Sequence, residues 1–354
     1  MAELVRPSFW SGKRVLLTGH TGFKGAWLSI WLHQMGAKVH GVSLPPEQPS
    51  LFTQGKIDGL LQNEFLDIRE TEKVAHTFKK SDPEIVIHMA AQSLVGKSYR
   101  EPINTFATNV MGTANVLEAA KNTPSAKACV IITTDKCYQD NKKGIPHIET
   151  DPLGGFDPYS SSKACAELVT QSYTDSFFRE SKSLYCASAR AGNVIGGGDW
   201  AENRLIPDVI RSWMANKEVV LRSPGGVRPW QHVLEPLSGY LKLAQELYAG
   251  NETAVGAWNF SPVDASHRPA LWIVEQLKAR LPAAQFNIQC ETQKGFHETH
   301  VLKLDSSKSQ KQLNWHPKWP IEQTLDKVCD WYVASREKAD VVQTCRKQIE
   351  EYSQ

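Results

Sequence analysis

The feature that most constrains this chain is a glycine turn, Thr18-Gly19-His20-Thr21-Gly22-Phe23-Lys24-Gly25, set between a short apolar run at 14–19 and a stretch at 26–35 with Trp27, Ile30, Trp31 and Gln34 at helical spacing. Such a strand, turn and helix bring backbone close to a ligand: glycines three apart allow a tight turn, and free N–H groups at the helix N-terminus can meet the charge of a pyrophosphate. A plain strand-to-helix connection gives the same spacing, so the surroundings decide.

The alternation recurs along the chain. Apolar strands are expected at 38–44, 84–90, 128–134 and 185–190, with helical patterns at 71–80, 103–121 and 159–179 between them. Strands apolar on both faces and separated by helices imply a parallel sheet covered on both sides, so the fold class is α/β with a doubly wound parallel sheet. After residue 194 the loops 196–200 and 222–230 are rich in Gly, Pro and charge. Helices are expected there at 206–216, 233–249, 270–281 and 322–336, with short strands near 218–222, 257–261 and 286–291. The expected division is a dinucleotide-binding unit at 1–194 and 232–261, and a smaller mixed α/β lobe at 195–231 and 262–354. Residues 337–354 read as a polar helix or a frayed tail.

Composition excludes several function classes. Forty Lys and Arg stand against 38 Asp and Glu, a formal charge of +2, so a basic nucleic-acid or membrane binder is not expected. A hydrophobic fraction of 41% with scattered Gly and Pro rules out disorder and coiled coil. The seven Cys form no C-x-x-C pair and show no zinc spacing, which points to reduced thiols and no metal. No apolar run reaches the roughly 18 residues of a membrane span, so a cytoplasmic protein is expected.

Two clusters carry the chemistry. Tyr159 and Lys163 lie four apart on one helix face after Pro158, where a phenol and an ammonium can meet one ligand. Lowering a phenol by about three pH units from its reference near 10 takes about 4 kcal/mol, which an adjacent Lys and a nicotinamide cation would share. Thr133, Thr134, Asp135 and Lys136 end the strand 128–134, at the sheet edge where such folds bind ligands. They offer a hydrogen-bond donor, a proton donor and a possible base; a solvated strand-to-loop corner is the alternative. The end of the second strand, Val42-Ser43-Leu44, carries neither an acid for a ribose hydroxyl nor an Arg for a 2′-phosphate, and so leaves NAD and NADP open. Asp67, beside Ile68, either meets an adenine amino group or caps the helix from Glu70. His20 reads as a surface group, and His88 as a satisfied core histidine.

These residues resemble the extended short-chain dehydrogenase/reductase family, with its Rossmann fold, and within it the nucleotide-sugar 4,6-dehydratases. The marks span the chain: T-G-x-x-G-x-x-G at 18–25, H-M-A-A-Q at 88–92, S-Y-R-E-P at 98–102, N-V-x-G-T at 109–113, Y-x-x-x-K at 159–163, A-R-A-G-N-V-I-G at 189–196, R-L-I-P at 204–207 and R-P-W-Q-H-V at 228–233. Lys136 departs from the acidic third residue of the dTDP-glucose and GDP-mannose enzymes. With H-T-G-F-K-G-A-W-L at 20–28, it resembles the branch that acts on CDP-glucose in building bacterial surface polysaccharide.

The resemblance implies NAD as cofactor, held by Gly19, Thr21, Gly22, Phe23, Lys24, Gly25, Asp67, Ile68, Ala90, Ala91, Gln92, Asn109, Thr133, Tyr159 and Lys163. It implies an internal redox cycle: oxidation at sugar C4, loss of water across C5 and C6, and return of hydride to C6. Tyr159 would take the C4 hydroxyl proton, Lys163 would hold the cofactor ribose and lower the phenol, and Thr134 would bond the C4 oxygen. Asp135 would protonate the leaving 6-hydroxyl. Lys136 would be the C5 base, or would stay charged and stabilise the enolate while water or Tyr159 takes the proton. Ser93, Asn193, Arg204, Leu205, Arg228 and His232 are candidates for the nucleotide sugar, the arginines for its diphosphate. Helices 103–121 and 159–179 would pair across a homodimer or dimer of dimers. Other nucleotide-sugar dehydratases, 4-epimerases and a non-catalytic NAD(P)-sensing protein are the alternatives.

Overall fold

The computed structural model describes residues 4–141, 144–284, 286–290 and 302–354. Strand β1 (Arg14–Thr18) shows why the sheet must be covered twice. Val15 and Leu17 are buried in one apolar cluster, and Leu16 between them is buried in another. A strand's side chains alternate, so both faces exclude water. Helix α1 (Phe23–Gln34) follows, then β2 (Lys38–Ser43), β3 (Gln62–Phe65), α2 (Thr71–Ser81) and β4 (Ile85–His88). A short helix at Val95–Arg100 precedes the helical run Pro102–Phe106, a wider π turn at Ala107–Met111, and α3 (Gly112–Lys121); β5 (Ala128–Ile132), α4 (Pro158–Tyr173) and β6 (Tyr185–Ala191) come after it.

The later half supplies α5 (Leu205–Ala215), α6 (Leu234–Tyr248), β7 (Gly256–Phe260), α7 (Ala270–Arg280), α8 (Ile321–Arg336) and α9 (Val341–Ser353). The seven main strands form one sheet in the order β7-β6-β5-β4-β1-β2-β3, every pair parallel. Thr18 pairs with His88, so the carboxyl ends of β1 and β4 lie side by side where the strand order reverses. That is the switch point at which open α/β sheets bind ligands.

Two elements differ from expectation. The third strand, expected to end at Asp67-Ile68, is β3, polar and mostly exposed at the sheet edge, and it ends earlier, at Phe65. The C-terminal segment, assigned to the lobe as a polar helix or tail, forms α9, whose Val341, Val342, Cys345, Ile349 and Tyr352 are buried. It packs along α1 and so covers the nucleotide fold itself. The short strands of the lobe are Val219–Leu221 and Ile288–Cys290, paired in parallel, and Val227–Pro229 and His267–Pro269, paired antiparallel. Residue 291, the last of the expected strand 286–291, lies outside the described residues.

Candidate active site

The glycine turn is shaped for close approach. Gly19 has φ +78°, and a Cβ there would stand 2.7 Å from the Ala90 nitrogen. A Cβ on Gly25 would lie 2.1 Å from the Gly19 carbonyl oxygen, whereas Gly22 is exposed and a Cβ there would come no nearer than 3.4 Å to a neighbour. Gly22 caps α1 without a side chain, so no capping side chain covers the first-turn N–H groups. Two glycines pack backbone on backbone and the third leaves the helix end open, which fits a dinucleotide pyrophosphate.

Thr18 ties this turn to the next loop. Its hydroxyl meets His88 Nδ1 at 2.7 Å and accepts the N–H groups of Met89 and Ala90, both at 3.1 Å. Burial and the charge of Lys163 push His88 down to about 3, so it is the neutral core histidine expected. His20 is a correction. Its ring is fully buried over Gly41 of β2, where an added Cβ would come within 2.5 Å of it, and Nε2 meets Asn63 Oδ1 at 2.6 Å.

Asn109, assigned to the cofactor, spends its amide on structure. It accepts from the Gln92 N–H at 2.8 Å and donates to the Gln92 carbonyl at 3.0 Å and the Ser162 hydroxyl at 2.8 Å, joining the loop after β4 to α4. Asp67 receives the guanidinium and backbone N–H of Arg69, while the cap of α2 is Glu70 with no side-chain bond, so the capping role is not observed. Ile68 is buried against Gly112.

Helix α4 starts where it does because Asp157 caps it, accepting the Ser160 N–H at 2.9 Å, and Pro158 occupies the first turn. Tyr159 therefore sits beside the positive end of the helix. Burial pushes its phenol up to about 12, against the Thr134 hydroxyl; Asp135 raises it further and Arg204 opposes. Lys163 follows one turn later on the same helix, and its Nζ donates to the Ile132 carbonyl oxygen at 2.9 Å. Burial pushes this amine down to about 8, with Glu167 acting the other way.

Thr134 donates to Asp135 Oδ1 at 2.9 Å, while Asp135 Oδ2 is buried without a partner. Burial raises the Asp135 carboxyl, opposed by Lys136, Thr134 and Arg228, which favours a proton on it. Lys136 is half-buried beside it. Lys24 points its amine at the Tyr240 hydroxyl, 3.3 Å away, and is pushed down to about 7 by burial and by Lys163 and Arg204. Tyr240 on α6 carried no signal in the sequence.

Of the substrate candidates, Arg204 caps α5 just before Leu205, donates to Asp199 at 3.0 Å and reaches Ser93 Oγ at 3.1 Å across the cleft. Arg228 donates to the Val227 carbonyl, and its charge bears on Asp135. Asn193 is half-buried, with its carbonyl oxygen taken by the Gln231 N–H. His232 is a correction: it is fully enclosed between Trp27 and Trp319, so no part of it is presented to a nucleotide. Trp230 is likewise buried, its indole N–H on the Arg268 carbonyl. Among the described residues no group of three or more His, Cys, Asp or Glu could hold a metal ion, and no helix is long and apolar enough to cross a membrane.

A doubly wound sheet with this glycine turn, a Tyr-x-x-x-Lys helix and an acid at the adjoining strand end defines a short-chain dehydrogenase/reductase. The family described as GDP-mannose 4,6 dehydratase matches residues 16–328, and the chain belongs to it. It is 46% identical over 354 residues to a CDP-glucose 4,6-dehydratase of Salmonella typhimurium, covering 99% of this chain and 98% of that protein. A dTDP-glucose 4,6-dehydratase of Xanthomonas campestris is 25% identical over 91% of this chain and 93% of its own. Among solved structures, dTDP-glucose 4,6-dehydratase of Bacillus anthracis in complex with NAD has a TM-score of 0.78 at 24% identity, covering 94% of this chain and 100% of that one. UDP-glucose 4-epimerase of Thermotoga maritima with UDP-glucose has a TM-score of 0.77 at 22% identity, covering 91% and 99%. These two likenesses concern the fold.

Proposed function

We propose that this protein is a CDP-glucose 4,6-dehydratase, an NAD-dependent hydro-lyase of the cytoplasm that converts CDP-glucose to CDP-4-keto-6-deoxyglucose and water. The buried, unpartnered oxygen of Asp135 is the observation that carries the reaction class. A carboxyl held by Thr134, whose hold on a proton burial strengthens, suits a general acid for a departing hydroxyl. The identity of 46% over nearly the full length of both chains supports cytidine and glucose.

NAD fits the glycine cradle, and its chemistry, when bound, is to accept the C4 hydride and return it at C6 while its cationic ring favours the phenolate. Gly19, Gly22 and Gly25 would hold its pyrophosphate, with Thr21, Phe23 and Lys24 around the turn, and Ala90, Ala91, Gln92, Thr133, Tyr159 and Lys163 along the sheet edge. Tyr159 takes the proton of the C4 hydroxyl, and Thr134 hydrogen-bonds the C4 oxygen. Lys136 removes the C5 proton, made acidic by the adjacent ketone, while Asp135 gives its proton to the C6 hydroxyl as it leaves. Arg204 and Arg228 meet the substrate diphosphate. A homodimer through the helical segments 103–121 and 159–179 agrees with exposed Ile103, Met111, Leu168 and Phe177 on them. Product analysis after incubation with CDP-glucose and NAD⁺ tests the reading: a 4-keto-6-deoxy sugar supports it, and a 4-epimer or unchanged substrate refutes it.

A further inference from the structure

Glu167 lies one turn beyond Lys163 and two beyond Tyr159 on the same face of α4, and it is almost completely buried, with Arg190 of β6 as its ion-pair partner at 2.7 Å. One carboxylate oxygen accepts the Thr133 hydroxyl. The other accepts the Ser188 hydroxyl at 2.5 Å and the Arg190 guanidinium. Arg190 continues the chain of contacts, donating to the Tyr138 hydroxyl at 2.7 Å and the Glu149 carbonyl at 3.1 Å. Tyr138 in turn donates to Asn259 Oδ1 at 2.7 Å, on β7. These bonds clamp Thr133 from below and Tyr138 from beyond, so the catalytic turn Thr134-Asp135-Lys136 is gripped on both sides.

Burying two charges is costly unless their hydrogen bonds are complete, and a hydrophobic pair of equal volume would often serve stability as well. A second cation, Lys163, is buried one helical turn before this carboxylate, whose charge works against the burial that lowers the amine. Lys163 is surrounded by Glu167 on its own helix, Cys137 beyond β5, His88 on β4 and Lys24 on α1. His88 is held neutral, and Glu167, which Lys163 shares with Arg190, is the carboxylate whose charge raises the amine against burial.

We propose that Glu167 is a positioning residue, a single buried carboxylate that fixes Thr133 at the head of the catalytic turn and keeps Lys163 charged. The proposal deepens the dehydratase reading and rests on it for the meaning of the turn, but the charge-holding role has a readout of its own. In the full-length protein, the pH midpoint at which the Lys163 peptide becomes acetylated by an amine reagent is followed by mass spectrometry. Glu167→Gln removes the charge and is expected to move that midpoint down by about one pH unit, the lower end of what an opposite charge at close range contributes. Glu167→Asp keeps the charge and Ser188→Ala removes only a neutral contact, so both are expected to leave it in place. The alkaline limb of kcat/KM should follow the same pattern.

If Glu167→Gln does not fold, Thr133→Val tests the other half: kcat is expected to fall about tenfold or more with KM kept. An unchanged Lys163 midpoint in Glu167→Gln, an equal shift in Ser188→Ala, or wild-type kcat in Thr133→Val would overturn the proposal. Wild-type protein that makes no 4-keto-6-deoxy sugar would refute the dehydratase reading while the labelling midpoints still decide the charge role.

Discussion

Asp135 and Gly192 face each other so closely that a Cβ on Gly192 would lie 3.0 Å from Asp135 Oδ2. The same Cβ would stand 2.6 Å from Pro229 Cγ, so neither side can yield without moving the acid or the wall behind it. Gly192→Ala is therefore expected to lower kcat about tenfold to a hundredfold by displacing the carboxyl proposed as proton donor, in keeping with the cost of misplacement near 1 Å. Steady-state kinetics and thermal melting separate this from unfolding: a variant with wild-type kcat would show that the carboxyl needs no such placement.

Asp135→Asn keeps the shape and removes the proton. We expect kcat to fall by about 10²–10⁴, the usual worth of a general acid, with binding of CDP-glucose retained by calorimetry. Near-normal turnover would assign the acid elsewhere.

Lys136→Glu restores the acidic third residue of the related turn but places a second carboxylate beside Asp135. Turnover is expected to fall at least about tenfold and the pH profile to change shape, because the amine proposed as base is lost and the new charge raises Asp135 further. Unchanged turnover and profile would show that the amine has no special role.

Glu235 links pH to the docking of the C-terminal helix. Its carboxylate accepts the Tyr352 hydroxyl at 2.6 Å and the N–H groups of Lys318 and Trp319, and burial pushes it up to about 7. A carboxyl raised on folding binds its proton more tightly in the native state. Its stability contribution is full below the unfolded value near 4.3 and is lost as pH rises through about 7, at most about 4 kcal/mol. Melting temperature should therefore fall between about pH 5 and 8, and Glu235→Gln should flatten that slope. An equal slope in both proteins would contradict this.

The parts of the site legible in the sequence are local ones. The glycine turn, the Tyr159 and Lys163 pair and the Thr134-Asp135-Lys136 corner each depend on neighbours within one turn or one strand end. What was hidden depends on register. Glu167 and Arg190 read as ordinary charges on a helix and a strand until the pairing of β5 with β6 sets Ser188 beside Ile131 and Arg190 just past it. His20 and His232 look available in a turn and a loop motif, yet Gly41 opens space beneath one and Trp27 and Trp319 enclose the other. Strand β3 shows no apolar run in the sequence, so its bounds are the hardest to read: an edge strand facing water need not be apolar.

Dehydration of a cytidine-linked glucose in this cleft is open to a direct competition assay. Purified protein given equal concentrations of CDP-, dTDP-, UDP- and GDP-glucose with NAD⁺, and the products separated by mass spectrometry, measures it directly. The account predicts that the CDP-sugar alone is converted rapidly to a product lighter by one water, with kcat/KM at least about a hundredfold above the others, equivalent to about 2.7 kcal/mol of discrimination. Preferential loss of water from another nucleotide sugar, or epimerisation of CDP-glucose without it, would contradict the account.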